Sequence, residues 1–375
     1  MGDEGDAAHS DEEYAELLGF LSDQKLEVQR FAAEGVLAQT ESQAFLDYCR
    51  RQPRKAAKPL LRLAEKADAD ATTSEAAAAL AAEGKGAGAE KATRQAALEA
   101  AQAAAAGSAA LQALVNLSAV PTVRDELVEL NAPRRAIEAM RGGWLEGRSG
   151  LAHWYSMLLA NLTVAKAGQE AICADEAALR FLVAAFIAKP RPPPRDGFED
   201  PLLCLGKVLG NVCALEAGRR ALAGPGCGSG AAEALVGELK DRGRRADAVC
   251  SLRNLCLDEA CHAAVVESGV VAGVARFLYP WDQVPADDRA RLPGELQATL
   301  EAEGAALTGD GAVRYAAAVC FLGLGRSAEG RAHLRAAGAT EVLRAWQARE
   351  ADAETRSALD AALPALLAEE GDLPL

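Results

Sequence analysis

Four times along the chain, an apolar run with helical spacing carries an asparagine near its end. These are ALVNLS around Asn116, LLANLT around Asn161, VLGNVC around Asn211 and LRNLC around Asn254. After each amide come a short polar break, a second apolar-periodic stretch, a small-residue turn and a third apolar run. NLTVAKAGQEAICADEAALRFLVAAF from Asn161 and NLCLDEACHAAVVESGVVAGVARFL from Asn254 carry the same order of elements. Apolar residues three, four and seven apart share one face of a helix, so each unit reads as two or three short amphipathic helices. The asparagines lie 45, 50 and 43 residues apart. Residues 318–346 repeat the theme without the amide: Cys320 aligns with Cys250, and Leu324 stands where Asn254 stood.

A period of about 40–47 residues with two or three helices per unit marks armadillo and HEAT repeats. A unit of that size cannot cover its own apolar face, so neighbours stack and each buries the next. The expected fold is all-α, an armadillo/HEAT-like right-handed α-solenoid. The order of small, aliphatic, asparagine and Glu-x-Gly residues is nearer to armadillo than to HEAT.

The spacing places repeats at about 94–140, 150–188, 198–240, 243–279 and 311–347 of a single solenoid running from 12 to 375. Residues 12–66 read as a degenerate N-terminal unit, 350–370 as a capping helix and 1–11 as an acidic disordered tail. Three stretches break the period. The alanine-rich segment 67–93, with GKGAG inside it, reads as a loose connection. KPRPPPR at 189–195 cannot be helical, because consecutive prolines lack donors and push their predecessors toward extended backbone. An insertion at 280–310 carries Leu324 70 residues beyond Asn254. In it a proline stops one helix, and GELQATLEAE restarts another with Leu296 and Leu300 on one side. The pairs Leu292–Pro293 and Leu296–Gln297 are expected to fix a loop that either docks on the solenoid or meets a partner.

Composition sharpens this picture. Half of the residues are hydrophobic but only 5% are aromatic, and alanine dominates, which favours closely packed helices over sheets. A net charge of −14 opposes the neutralisation of nucleic-acid phosphates, so no nucleic acid is expected as a partner. Charges interrupt every apolar run, so no membrane span is expected. The opening MGDEGDAAHSDEEYAE is acidic and polar, unlike a secretory or mitochondrial leader. Nine cysteines without framework spacing then suggest reduced thiols in a cytoplasmic or nuclear protein, expected to be monomeric.

Candidate chemistry is sparse. Cys250, Cys256, Cys261 and His262 crowd together, but their spacing fits neither paired two-residue gaps nor a helical His pair, so buried thiols are expected rather than a metal site. The glycines at 84, 86 and 88 lack the Lys-Ser/Thr ending of a phosphate loop. KPRPPPR holds one PxxP, read as a rigid surface connection in preference to an SH3-type ligand. Four scattered histidines form no nucleophile–base set, and no cofactor or enzyme activity is expected. Asn116-Leu-Ser and Asn161-Leu-Thr match the glycosylation pattern, but both lie in helix-forming runs without a leader, so glycans are not expected.

The asparagines remain. On a helix the residues four and seven before each share its stripe: Cys250 and Asp247 for Asn254, Lys207 and Cys204 for Asn211. For Asn161 these are Met157 and Trp154, and for Asn116, Gln112 and Ala109. Stacked units would align the amides along an inner groove. There Gln112, Asn116, Lys207, Asn211, Asp247 and Asn254 could grip an extended peptide backbone, since an amide both donates and accepts. The competing employment is internal, with each amide bonding the neighbouring repeat or its own helix end. Solvent is expected at Asn211 and Asn254, and burial at Asn161.

Armadillo grooves that carry nuclear-import cargo set a tryptophan four residues before the asparagine. Gln112, Met157, Lys207 and Cys250 hold those places here, which disfavours that role. The alternative is a generic armadillo protein-binding scaffold, such as the armadillo nucleotide-exchange factor for heat-shock chaperones, which shares the repeats but would not explain the insertion. The C-terminal half resembles the HGH family, homologues of high-mobility-group proteins and armadillo-type cofactors for folding elongation factor 2. The resemblance rests on LRNLC at 252–256 and on Arg291-Leu292-Pro293-Gly294-Glu295-Leu296-Gln297, which follow the family's arginine, LP, two residues, LQ pattern. FEDPLLCLGKVLGNVC at 198–213 and GRAHLRAAGATEVLRAW at 330–346 fit its flanking units. It covers about 110–370; the 67–107 segment departs from the pattern, as does the AT that follows Gln297. The resemblance implies a non-enzymatic adaptor that binds elongation factor 2 alongside the cytosolic chaperonin and heat-shock chaperones.

Overall fold

The computed structural model describes residues 10–82, 87–145, 151–188, 200–224 and 230–368. Among them every regular element is a helix. They fall into two compact bodies, residues 1–174 with 190–205, and residues 175–189 with 206–375. The first body holds α1 (Asp11–Phe20), α2 (Leu26–Gln39), α3 (Gln43–Arg51), α4 (Pro53–Ala82), α5 (Ala87–Leu117), α6 (Pro121–Glu129), α7 (Ala132–Leu145), α8 (Ala152–Leu162) and α9 (Lys166–Cys173).

The second body holds α10 (Glu176–Ile187) and all but the first residue of α11 (Leu205–Val212). It continues with α12 (Glu216–Ala223), α13 (Ala231–Glu238), α14 (Arg245–Leu255), α15 (His262–Glu267), α16 (Val270–Leu278), α17 (Ala286–Arg289), α18 (Gly294–Glu303), α19 (Gly311–Leu324), α20 (Ala328–Ala336), α21 (Ala339–Gln347) and α22 (Ala353–Leu367). The fold is an all-α armadillo/HEAT-like solenoid. The expected units 198–240, 243–279 and 311–347 each contain three of these α-helices, an asparagine-type helix followed by two others.

The segment 67–93 is not the loose connection expected. Helix α4 continues to Ala82 and α5 begins at Ala87, leaving 83–86 between them. Alanine, the best helix former, outweighs the glycines. Small side chains also let the two helices approach: a Cβ on Gly107 would lie 2.9 Å from the Ala67 Cβ, and Ala64, Ala103, Ala106 and Ala110 are buried. The helical part of the N-terminal unit starts one residue earlier than expected, because Ser10 caps α1 and Glu13 reaches back to the Ser10 N–H at 2.6 Å. KPRPPPR and residues 1–9 lie outside the described residues.

From α8 onward, the turn out of each asparagine-type helix into the next follows one rule. The last carbonyls of a helix have no partner within it and need donors from elsewhere. Gly168, Gly218 and Gly330 each sit so close to the preceding helix that a Cβ would collide with the carbonyl oxygen of Leu162, Val212 or Leu324. The next residue then reaches back six positions. Gln169 donates to the Thr163 carbonyl at 2.9 Å, Arg219 to those of Cys213 and Ala214 at 3.1 and 3.0 Å, and Arg331 to those of Gly325 and Arg326 at 3.1 and 3.2 Å. At the remaining such turn, Cys261 replaces the glycine and His262 the arginine. Residues Glu259–Cys261 form a 3-10 turn there, and His262 Nε2 lies 3.0 Å from the Cys256 carbonyl. The carbonyl only accepts, so Nε2 carries the hydrogen.

The insertion docks. Trp281, Leu292, Leu296, Leu300 and Ala305 are buried with Ala275 and Tyr279 beside α16 and with Val342 of α21. Pro293 packs on Gly338, where φ is 81° and a Cβ would lie 2.5 Å from the proline Cδ. Only glycine suits both that backbone and that contact. The insertion's return is tied down by Thr308 N–H to the Phe277 carbonyl at 2.8 Å and by Trp281 N–H to Ala305 at 3.0 Å. Beyond it, Glu350 accepts from Arg314 at 2.8 and 3.1 Å and from Trp346 at 2.8 Å. These bonds overcome the opposing effect of burial and hold the Glu350 carboxyl below its usual range.

Candidate functional site

Each asparagine with a resolved bond turns its amide toward the preceding unit. Asn116, on α5, is exposed and donates to the Thr40 hydroxyl at 2.8 Å, just past the end of α2. Asn161, on α8, is half-buried and donates to the Val115 carbonyl at 3.1 Å and to the Ser118 hydroxyl at 2.9 Å. Asn254, on α14, is half-buried and donates to the Gly210 carbonyl of α11 at 2.9 Å. Val115 and Gly210 belong to the last turns of their helices, so these amides satisfy carbonyls that the helices leave over. Asn211 is half-buried and has a partner of its own. The expectation of solvent at Asn254 therefore needs qualification, since its nitrogen is committed to the neighbouring helix.

Commitment to the fold does not exhaust an amide, which offers two donors and one accepting oxygen. At Asn161 both bonds run from the nitrogen, so its donors are spent. At Asn116 and Asn254 one N–H is used among the described residues. The Asn254 oxygen accepts from Arg253 Nε at 3.2 Å and from its NH2 nitrogen at 3.0 Å. Sequence reasoning passed over Arg253. Its signal was present, because a guanidinium beside an amide can orient it, but adjacent residues on a helix do not ordinarily face each other.

The second body brings four of the expected residues together on α11 and α14. Lys207 is exposed, whereas Asp247 is half-buried against Gly206, where a Cβ would lie 2.6 Å from that of Asp247. Burial raises the Asp247 pKa, while Lys207 and Arg244 pull it back. Lys207 and Asp247 thus share one electrostatic neighbourhood beside Asn254 and its partner Gly210. In the first body Gln112, half-buried, donates to the Ser108 hydroxyl at 3.0 Å on its own helix, one turn before Asn116. The insertion residues lie elsewhere: Leu292 and Leu296 are buried, and Pro293 and Gln297 are half-buried.

The cysteines behave as packing residues. Cys256, Cys261 and Cys320 are buried and Cys250 is half-buried. A hydrogen bond with Cys320, ahead of burial, pushes the Cys256 thiol up, and burial pushes Cys49 up to about 12. Thiols so disposed stay protonated and make poor nucleophiles. Among the described residues no three His, Cys, Asp or Glu side chains are grouped to hold a metal ion, and no single helix is long and apolar enough to cross a membrane.

The sequence matches no protein-family model and no curated protein. Its fold is similar to solved structures of designed proteins. One is the designed armadillo repeat protein YIII(Dq.V1)4CPAF in complex with peptide (KR)4, 17% identical with a TM-score of 0.52 over 70% of this chain and 93% of that one. Another belongs to computationally designed armadillo repeat proteins for modular peptide recognition, 17% identical with a TM-score of 0.51 over 68% of this chain and 91% of that one. At that identity the likeness concerns the fold, and the fold is of armadillo type.

Proposed function

We propose that this chain is a non-enzymatic armadillo scaffold that binds elongation factor 2 in the cytoplasm and assists its folding with the cytosolic chaperonin and heat-shock chaperones. The observation that carries the reading is the pairing of LRNLC at 252–256 with the Arg-Leu-Pro-x-x-Leu-Gln run at 291–297 in the step between repeats. The coarser reading, a scaffold for protein segments, draws support from the fold and from Lys207, Asp247 and the amide of Asn254 gathered on α11 and α14. A net charge of −14 suits a client with basic, RNA-binding segments. One similar design was solved with a basic peptide, which is in keeping with such a client.

Affinity purification from the source cell, with the co-purifying proteins identified, tests the finer reading. Elongation factor 2 together with chaperonin subunits is the expected outcome. Recovery of other proteins in their place overturns the client assignment and leaves only the scaffold.

A further inference from the structure

The second body carries a cavity of about 680 Å³ whose lining opposes the charge of the chain. Its walls come from the turn between α13 and α14, from α16, and from the return of the insertion at 303–310. Arg245 lies over the Phe277 ring, 4.8 Å from its centroid, and donates to the Leu239 carbonyl at 2.8 Å. Arg276 NH1 lies 2.9 Å from Glu303 as an ion pair, but neither NH1 nor the buried Nε makes a hydrogen bond among the described residues. Lys240 and Arg242 are exposed at the rim.

The nearby carboxylates already have work. Glu303 is paired with Arg276, Asp310 accepts the Val313 N–H at 3.2 Å to cap α19, and Asp241 accepts the Gly243 N–H at 2.8 Å. The cations are left under-compensated: burial first, and then repulsion from Arg242, lower the Arg245 pKa against the pull of Asp241. An anion entering the cavity would relieve that repulsion.

We propose that this cavity binds an acidic segment of a protein partner, with carboxylates meeting Lys240, Arg242 and Arg276. Its volume lies within the roughly 300–1,000 Å³ of ligand sites. The lining favours a peptide over a polyphosphate. Glu303 and Asp310 would repel a ligand made only of acceptors, whereas peptide N–H groups can donate to them. The Phe277 ring carries Arg245 on one face and is buried overall, so no face is left for a nucleobase to stack on. The site differs in charge from the groove proposed above, and its test does not depend on which client that groove holds.

The experiment uses the full chain and fluorescein-labelled tetraglutamate, with tetraglutamine as control, followed by fluorescence anisotropy. The acidic peptide should bind at least about tenfold more tightly than the neutral one and weaken as salt is raised. Reversing both rim charges, Lys240→Glu with Arg242→Glu, should reduce tetraglutamate affinity about tenfold or more. The melting temperature should hold, because both side chains are exposed. Equal binding of the two peptides, or unchanged affinity in the double variant, overturns the proposal. Tripolyphosphate that displaces the probe more strongly than unlabelled tetraglutamate overturns it in favour of a phosphate ligand.

Discussion

From α8 onward, three repeats enter their first short helix on a glycine, at 168, 218 and 330, and one enters on Cys261. The contrast shows what the glycine does. Without a Cβ, the new helix rests directly on the carbonyl end of the old one, and a glutamine or arginine one residue later ties off the carbonyls beyond. With a Cβ at 261 that approach is closed, and the chain takes a 3-10 turn capped by Asp258, which accepts from the Ala260 N–H at 3.1 Å. The fourth turn is instead held from both sides. The Cys261 thiol lies 3.5 Å from the Arg219 carbonyl of α12, and His262 Nδ1 lies 2.9 Å from Ser327 at the start of α20. One family of turns is sealed along the chain, and the exception is sealed across neighbouring units as well.

The largest effect expected from this contrast is at the glycines. Gly218→Ala places a methyl inside the Val212 carbonyl, and backbone on both sides has little room to yield. Alanine's helix propensity returns only about 0.5–1 kcal/mol. Overpacking typically costs about 1–3 kcal/mol and can exceed that against rigid backbone, so a net loss near 3 kcal/mol is expected. Cys261→Ala, which only shortens a buried side chain, should cost about 1–2 kcal/mol. Urea unfolding of the two variants measures both. If Gly218→Ala costs no more than Cys261→Ala, the close approach is not what distinguishes the turns.

Next in size come the amides, which seal the same helix ends from the following repeat. Asn161→Ala strips a donor from Val115 and Ser118, and Asn254→Ala strips one from Gly210, at about 1–3 kcal/mol each. Asn116→Ala should stay within about 0.5 kcal/mol, because its amide is exposed and water can replace it at the Thr40 hydroxyl. Stability and client capture are to be measured together. An Asn254→Ala protein of unchanged stability that no longer captures client would make that amide a groove residue and not a peg.

Much of this was legible in the sequence. The asparagine period gave the repeats, and Pro293 with the spacing of Leu296 and Leu300 located the helix of the insertion. The glycines were visible too, in AGQ, AGR and EGR at 167–169, 217–219 and 329–331. Their partners were not, because a side chain reaching back six residues to a carbonyl leaves no polar pattern of its own. Trp281 and Val342 lie 61 residues apart, and nothing in either segment states that they meet. The alanine-rich segment failed for another reason: GKGAG was weighed as punctuation, whereas alanines at Ala64, Ala67, Ala103 and Ala106 make a close helix pair that carries helix through 82 and resumes it at 87. The basic cavity was half visible: Lys240, Arg242 and Arg245 lie in the run KDRGRR at 240–245, but only folding brings Arg276 and the return of the insertion beside them.

A small expected difference, between two variants of one residue, is the sharpest test of the exceptional turn. His262 gives its Nε2 hydrogen to the Cys256 carbonyl, the service that Gln169 performs for Thr163 at 2.9 Å. A glutamine at 262 can reach the same carbonyl but cannot also present a ring nitrogen to Ser327. His262→Ala leaves a helix-end carbonyl without its donor and should cost about 1–3 kcal/mol. His262→Gln should recover most of that, leaving a deficit of roughly 0.5–1 kcal/mol for the lost Ser327 contact, about one neutral hydrogen bond. Ser327 keeps its other duty, accepting the Gly330 N–H at 3.1 Å to cap α20, so the deficit should not grow into loss of that helix. Urea midpoints of the two variants at equal slope decide the matter. If glutamine costs as much as alanine, the carbonyl bond is not the main service of His262, and the lateral contact to Ser327 carries the turn.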